Sequence, residues 1–91
     1  MEDNRVKPIN PVRAAANLAE LETGMTAVVK QVKGKGPVAK RLMEMGIVPG
    51  VKVRVVKSAP FGDPIELRVR GFSLALRISE ARKVEIMEKA V

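Results

Sequence analysis

In the second half of the chain, apolar residues occupy every second position over several short runs. Valines at positions 51, 53 and 55 alternate with Lys52 and Arg54, and the same period returns in residues 65–70, 72–78 and 84–86. A strand whose side chains alternate in this way has one buried and one exposed face. Because glycine and proline lie between the first three runs, the pattern predicts short strands joined by tight turns. The alternation fails at Val56, where we expect a bulge or an outward-facing valine.

The first half of the chain predicts one further strand and a helix. Residues 25–32 are rich in β-branched side chains at their centre, which is typical of a strand. Pro37 suits the first turn of a helix, and Gly46 suits the position just past its end. Val38, Leu42 and Met45 share one face of that helix. The predicted order is therefore a strand, a short helix and four more strands.

Strands with one apolar face are unstable as an open sheet. An open sheet exposes that face and two edges, whereas closure into a barrel covers the face and removes the edges. We therefore predict a mainly β fold, a small SH3-like five-stranded barrel with one short α-helix between the first and second strands. The alternative is an open α+β sheet.

The first 16 residues contain Pro8 and Pro11 and no periodic apolar pattern. They predict a flexible arm, residues 1–16, ahead of a barrel domain that spans residues 17–91. The start of the chain lacks the basic residues and apolar block of a secretory signal, and no apolar run is long enough to span a bilayer. We therefore expect a cytoplasmic protein.

The chain contains no cysteine and no histidine. Disulfides and thiolate metal sites are excluded, and the usual general base near neutral pH is missing. The serines have no histidine to activate them, and the acidic residues are scattered without a paired arrangement. The sequence predicts no enzyme, no catalytic residues and no tight metal site.

The formal charge of +7 favours an acidic partner, a nucleic acid or an anionic membrane surface. Aromatic residues make up only 2% of the chain, which argues against single-strand nucleic-acid binding because bases stack on aromatic side chains. The outward positions of the second and third predicted strands carry Lys52, Arg54, Arg68 and Arg70. This basic face is either simply solvated or a docking face for an acidic partner.

Three ordered motifs lie within residues 18–86. R-L-x-x-M-G-I-x-P-G spans residues 41–50, A-P-x-G-D-P-I-E spans 59–66 and L-A-L-R-x-x-E-A spans 74–81. In this order and spacing the chain resembles the FeoA family, the small cytosolic component of bacterial ferrous-iron uptake. The resemblance implies an SH3-like barrel with an added helix. It also implies a partner, the permease FeoB, whose cytosolic side FeoA-like proteins bind in order to assist or regulate it.

The resemblance therefore implies a non-enzymatic accessory protein, peripheral to the membrane through the permease and either monomeric or weakly dimeric. Fe²⁺ is the implied cargo of the pathway and not a tightly bound cofactor, although metal binding is associated with the family. No small-molecule substrate is expected. Two alternatives stay open, a small basic nucleic-acid-binding barrel and a weak Fe²⁺ chaperone that uses carboxylates.

The motif and basic-face positions divide into two predicted groups. Those expected to contact the partner are Arg41, Met43, Arg54, Phe61, Asp63, Arg68, Arg70 and Arg77. Those expected to form turns or core are Leu42, Met45, Gly46, Pro49, Gly50, Pro60, Gly62, Pro64, Gly71, Leu74, Leu76, Glu80 and Ala81.

Residues 59–62, Ala-Pro-Phe-Gly, fit a type I turn with proline second and glycine fourth. Pro64 then opens the next strand, where its missing N–H is tolerated. This rigidity fixes the hairpin and leaves little entropy to lose if the tip docks on a partner. Alternation does not place Phe61, which either caps the barrel from inside or anchors a partner from outside.

Overall fold

The structure, a computed structural model, describes residues 16–88, with Glu88 described by its backbone alone. A 3-10 helix at Leu18–Glu20 comes first. The elements that follow are β1 (Thr26–Val32), α1 (Pro37–Glu44), β2 (Lys52–Ser58), β3 (Ile65–Val69), β4 (Phe72–Leu76), α2 (Ile78–Ala81) and β5 (Val84–Glu88). The predicted arm lies outside the described residues except for Ala16.

The five strands form one antiparallel sheet in the order β4-β3-β2-β1-β5. The predicted mainly β class, with one helix between the first and second strands, is confirmed. Hairpin connections of six and two residues place β2, β3 and β4 side by side, and β5 returns to pair with β1. Within residues 16–88, β4 and β5 do not pair with each other, so strand pairing leaves two edges where we expected none.

The apolar face of the sheet forms the core. Val53, Val55 and Leu67 are at most 2% exposed, as the alternation predicts, and Leu42 from α1 packs into the same cluster. Truncating a buried leucine such as Leu67 to alanine costs about 2–5 kcal/mol, because the cavity adds to the lost transfer energy.

The break in alternation at Val56 is a bulge. Val55 pairs with Leu67 and Lys57 pairs with Glu66, so Val56 has no partner on β3. Its side chain is half-buried. The prediction of an irregularity at this position is confirmed.

Strand β4 departs from the predicted apolar face. Leu76 is buried and Leu74 half-buried, but Phe72 is 66% exposed. Phe72 directly follows the β3–β4 turn, at the end of the strand opposite the fully buried Leu76. Ile78, predicted on the same strand face, is the first residue of α2 and only half-buried.

The helix α1 begins at Pro37 as predicted and ends in a Schellman cap. Gly46 has φ +101° and donates its N–H to the Met43 carbonyl at 3.0 Å, and Ile47 donates to the Leu42 carbonyl at 3.1 Å. Both Leu42 and Ile47 are fully buried, so the cap also anchors the helix in the core. No helix within residues 16–88 combines the length and apolarity needed to cross a bilayer.

The two edges of the sheet differ. At β5, Asn17 forms a bridge with Glu85, and the Ala16 carbonyl accepts the Ile86 N–H at 3.2 Å. The outer edge of β4 has no main-chain partner within residues 16–88. The chain thus covers one edge with its own entering segment and leaves the other open.

Candidate docking surface

The β2–β3 loop presents an aromatic side chain to solvent. Gly62 donates its N–H to the Ala59 carbonyl at 2.7 Å, which confirms the predicted β-turn, and the Ala59 N–H bonds to the Pro64 carbonyl at 2.9 Å. Phe61 at the tip is 97% exposed. Of the two positions open to this residue, the outward one is therefore the observed one. We call Pro60 and Phe61 the loop tip.

Asp63 ties this loop to α2. Its Oδ1 accepts the N–H of Ile78 at 3.0 Å, across 15 residues of sequence. Ile78 is the first residue of α2, whose opening N–H groups need acceptors. Asp63 was predicted as a partner contact, and within the fold it caps a helix.

Glu80 joins α2 to α1. One carboxylate oxygen, Oε1, accepts the Arg77 N–H at 2.9 Å, and the other forms an ion pair with the guanidinium of Arg41. The Glu80 side chain is 16% exposed and that of Arg41 is 52% exposed. The loop, α2 and α1 are therefore linked by two carboxylates, and Arg41, a predicted contact, is held by Glu80 at this position.

Two other predicted contacts, Met43 and Arg77, lie at the surface of these helices. Met43 on α1 is 42% exposed, and Arg77, which precedes α2, is exposed. Phe72 was not predicted to be outside, because alternation assigned it to the buried face. Its position directly after Gly71, at the very start of a strand, was the available signal that it could lie beyond the core.

Two arginines lie side by side on the outer face of the sheet. Arg54 on β2 and Arg68 on β3 are direct partners in the register, so their Cβ atoms are about 4.5–5.5 Å apart. Like charges at this spacing repel each other. The same register places Thr26 beside Arg54 and Ser73 beside Arg68. We call Arg54 and Arg68 the arginine pair.

No acidic side chain within residues 16–88 forms an ion pair with the arginine pair. Glu66, the nearest acid along β3, lies 3.8 Å from the Nζ of Lys57. The two arginines also line a groove of about 370 Å³ together with Gly24, Val55 and Val56. An anion entering this groove meets two cations at once.

Arg70 is not on the strand face where we predicted it. β3 ends at Val69, and Arg70 lies with Gly71 in the two-residue turn that leads into β4. Arg70 has φ +52° and Gly71 has φ +86°, the combination required by a type I′ turn. The predicted face therefore holds Lys52, Arg54 and Arg68, with Arg70 at its end.

Glu85 on β5 is held by two polar neighbours, and it belongs to no metal-binding cluster among the described residues. The hydrogen bond that Gln31 donates to Oε1 at 2.7 Å is the main cause that lowers the pKa of Glu85, and Lys33 lies 3.3 Å from its other oxygen. Within residues 16–88, no three acidic side chains cluster closely enough to hold a metal ion. With histidine and cysteine absent from the chain, these residues do not fit a tight transition-metal site.

Residues 16–88 match the model of the FeoA domain. Over 69 residues the chain is 42% identical to the Fe(2+) transport protein A/Fe(2+) transporter FeoB fusion protein of Porphyromonas gingivalis. The aligned region covers 76% of this chain but only 8% of the fusion protein. The FeoA-like protein of Clostridium acetobutylicum has a similar solution structure, with a TM-score of 0.78 and 36% identity over 86% of this chain and 91% of that one.

The crystal structure of Stenotrophomonas maltophilia FeoA, a zinc complex described as an SH3 domain protein, superposes with a TM-score of 0.73. The two chains are 39% identical over 80% of this chain and 91% of that one. The predicted SH3-like fold is thereby confirmed.

Proposed function

The chain belongs to the FeoA family, and we propose that it is a non-enzymatic accessory protein of ferrous-iron uptake that binds the cytosolic part of an FeoB-type transporter. The observation that carries this proposal is the Porphyromonas gingivalis fusion protein, in which the matching domain and FeoB share one polypeptide. If two domains that are fused in one protein occur as separate chains in another, they must bind each other through an interface in order to act together.

The loop tip is the anchor that we propose for this interface. Phe61 offers a large apolar area that is almost fully exposed, and aromatic side chains often carry most of the binding energy of an interface. The loop is held by its own turn and by the bond from Asp63 to α2. Little conformational entropy is lost when a loop of this rigidity docks.

The arginine pair supports an acidic partner surface. The two cations repel each other in the free protein, and a carboxylate placed between them relieves this repulsion and forms charge-assisted hydrogen bonds with both. The net charge of +7 also accelerates encounter with an acidic surface. In this proposal the protein acts in the cytoplasm, reaches the membrane through its partner, and handles Fe²⁺ only as the cargo of that partner.

The test is direct binding of the purified full chain to the cytosolic part of the FeoB-type transporter of the same organism, by calorimetry at about 50 and 150 mM salt. We expect saturable binding that weakens with salt. Double-stranded DNA and single-stranded RNA serve as control ligands. Absence of binding at both salt concentrations, or tighter binding to nucleic acid, would contradict the proposal.

A further inference from the structure

The outer edge of β4 presents hydrogen-bonding groups at two residues. In a hairpin with a two-residue turn, the closing pair exchanges both of its main-chain bonds, and bonded pairs then alternate along the strands. The closing pair here is Val69 and Phe72. Phe72, Leu74 and Leu76 therefore direct their main-chain groups to β3, whereas Ser73 and Ala75 direct theirs away from it.

These outward main-chain groups have no partner within residues 16–88, since no hydrogen bond outside the β3 ladder involves Ser73 or Ala75. The edge also lacks the usual protection. Residues 72–76 contain no charge and no proline, and their register with β3 is regular. The side chains of Ser73 and Ala75 are small and exposed, so no part of residues 16–88 covers the edge from the outer face.

Positive charge predominates at the Ser73 half of this open edge, whereas Glu66 lies beside Ala75 and forms an ion pair with Lys57. On the outer face Arg68 lies directly beside Ser73, and Arg54 lies one strand further in. Arg70 precedes the strand and Arg77 follows it. Because serine is short, the long side chain of Arg68 can extend over it toward a strand added about 4.8 Å beyond β4.

We propose that an extended acidic segment of the partner adds to β4 as a sixth strand. Its main chain bonds to Ser73 and Ala75, and a carboxylate on its outer face pairs with Arg68. This inference rests on the proposed function and assigns the mode of binding. A second copy of the chain is a poor occupant of this edge. Each copy carries a formal charge of +7, and pairing two β4 strands would place their basic residues next to each other.

The first experiment is amide hydrogen exchange by NMR on the full chain, with and without the cytosolic part of the FeoB-type transporter. In the free protein, Ser73 and Ala75 should exchange fast and Leu74, which is bonded to β3, slowly. On binding we expect exchange at Ser73 and Ala75 to slow at least about tenfold. Binding that leaves both amides unchanged would overturn the sixth strand and leave the proposed function standing.

The second experiment uses paired variants of one residue. Ser73→Pro removes an N–H that points away from β3, so the β3–β4 ladder keeps its bonds. We expect Ser73→Pro to weaken binding at least tenfold, and Ser73→Ala, which keeps the N–H and leaves Arg68 free to extend over it, to bind like the parent chain. If Ser73→Pro fails to fold, Arg68→Gln replaces it, with the same loss expected and a flatter salt dependence.

The remaining outcomes are also decisive. Absence of any binding overturns both the sixth strand and the proposed function. Protection of Ser73 and Ala75 that grows with protein concentration in the absence of partner identifies a second copy as the occupant and overturns the acidic segment. Parent-like affinity in folded Ser73→Pro, and in Arg68→Gln, likewise overturns it.

Discussion

At the scale of single residues, Phe61 separates stability from binding. Because its side chain is 97% exposed, Phe61→Ser should change the free energy of unfolding by no more than about 0.5 kcal/mol. The same substitution should weaken binding to the cytosolic part of the FeoB-type transporter by about 2 kcal/mol or more. Thermal melting and calorimetry measure the two effects.

Met87→Ser is the control for this substitution, since Met87 is also an exposed apolar residue but lies on β5. It should leave affinity unchanged. If Phe61→Ser and Met87→Ser bind equally well, the loop tip is not the anchor.

Arg70 offers a stabilising substitution. A non-glycine residue in the left-handed region costs about 1–2 kcal/mol, and asparagine tolerates this region better than arginine. Arg70→Asn should therefore raise the urea midpoint by the equivalent of about 0.5–1 kcal/mol with an unchanged m-value. Arg70→Gln removes the same charge and keeps the strain, so an equal gain in both variants would assign the effect to charge.

The positions of Phe61 and Arg70 could not be predicted from the sequence pattern. Alternation describes residues within strands, so it has nothing to say about Phe61 in a loop. The alternation extended the predicted strand to Arg70, because the Arg-Gly pair lacks the asparagine or aspartate that usually signals a type I′ turn. Both positions are set by turn geometry and not by side-chain periodicity.

At the scale of elements, the ion pair between α1 and α2 should contribute modestly. Arg41 is about half exposed, so water and salt screen its attraction to Glu80. A double-mutant cycle with Arg41→Ala and Glu80→Ala should give a coupling energy of about 0.2–1 kcal/mol that decreases in 1 M NaCl. A coupling that is absent at low salt would show that the two helices are positioned without this contact.

The strands and α1 were predictable because each has a strong local pattern, either period two or a proline and a glycine at its ends. The start of α2 was not. Glu80, within the helix, accepts the N–H of Arg77 just before α2, and Asp63, from a loop 15 residues before Ile78, accepts the N–H of Ile78. Contacts between distant segments leave no periodic trace, which is why Ile78 was assigned to a strand and Asp63 to a binding surface.

At the scale of the whole molecule, the distribution of charge should govern the rate of association. Replacing the arginine pair with glutamine should slow association with the transporter domain and flatten its salt dependence. Lys30→Gln with Lys40→Gln removes the same net charge from other exposed positions and is the matched control. Stopped-flow rates that fall equally in both double variants would assign the effect to net charge alone.

The donor set of the whole chain also predicts weak metal binding. The chain has no histidine or cysteine, and within residues 16–88 Fe²⁺ finds only carboxylates that do not cluster. An anaerobic titration should show binding no tighter than about millimolar. Saturation at micromolar Fe²⁺ would instead favour the chaperone alternative.

The unequal edges of the sheet set a limit on assembly. A fibril grows by strand addition only if each added chain offers a fresh edge to the next one. Here Ala16 and Asn17 occupy the middle of the β5 edge, so within residues 16–88 a chain that joins another through β4 has no equivalent edge to offer the next copy. Within the described residues the sheet therefore offers one open strand edge to another chain. We therefore predict that any strand addition between copies of this protein, disfavoured as it is by their charge, stops at a pair.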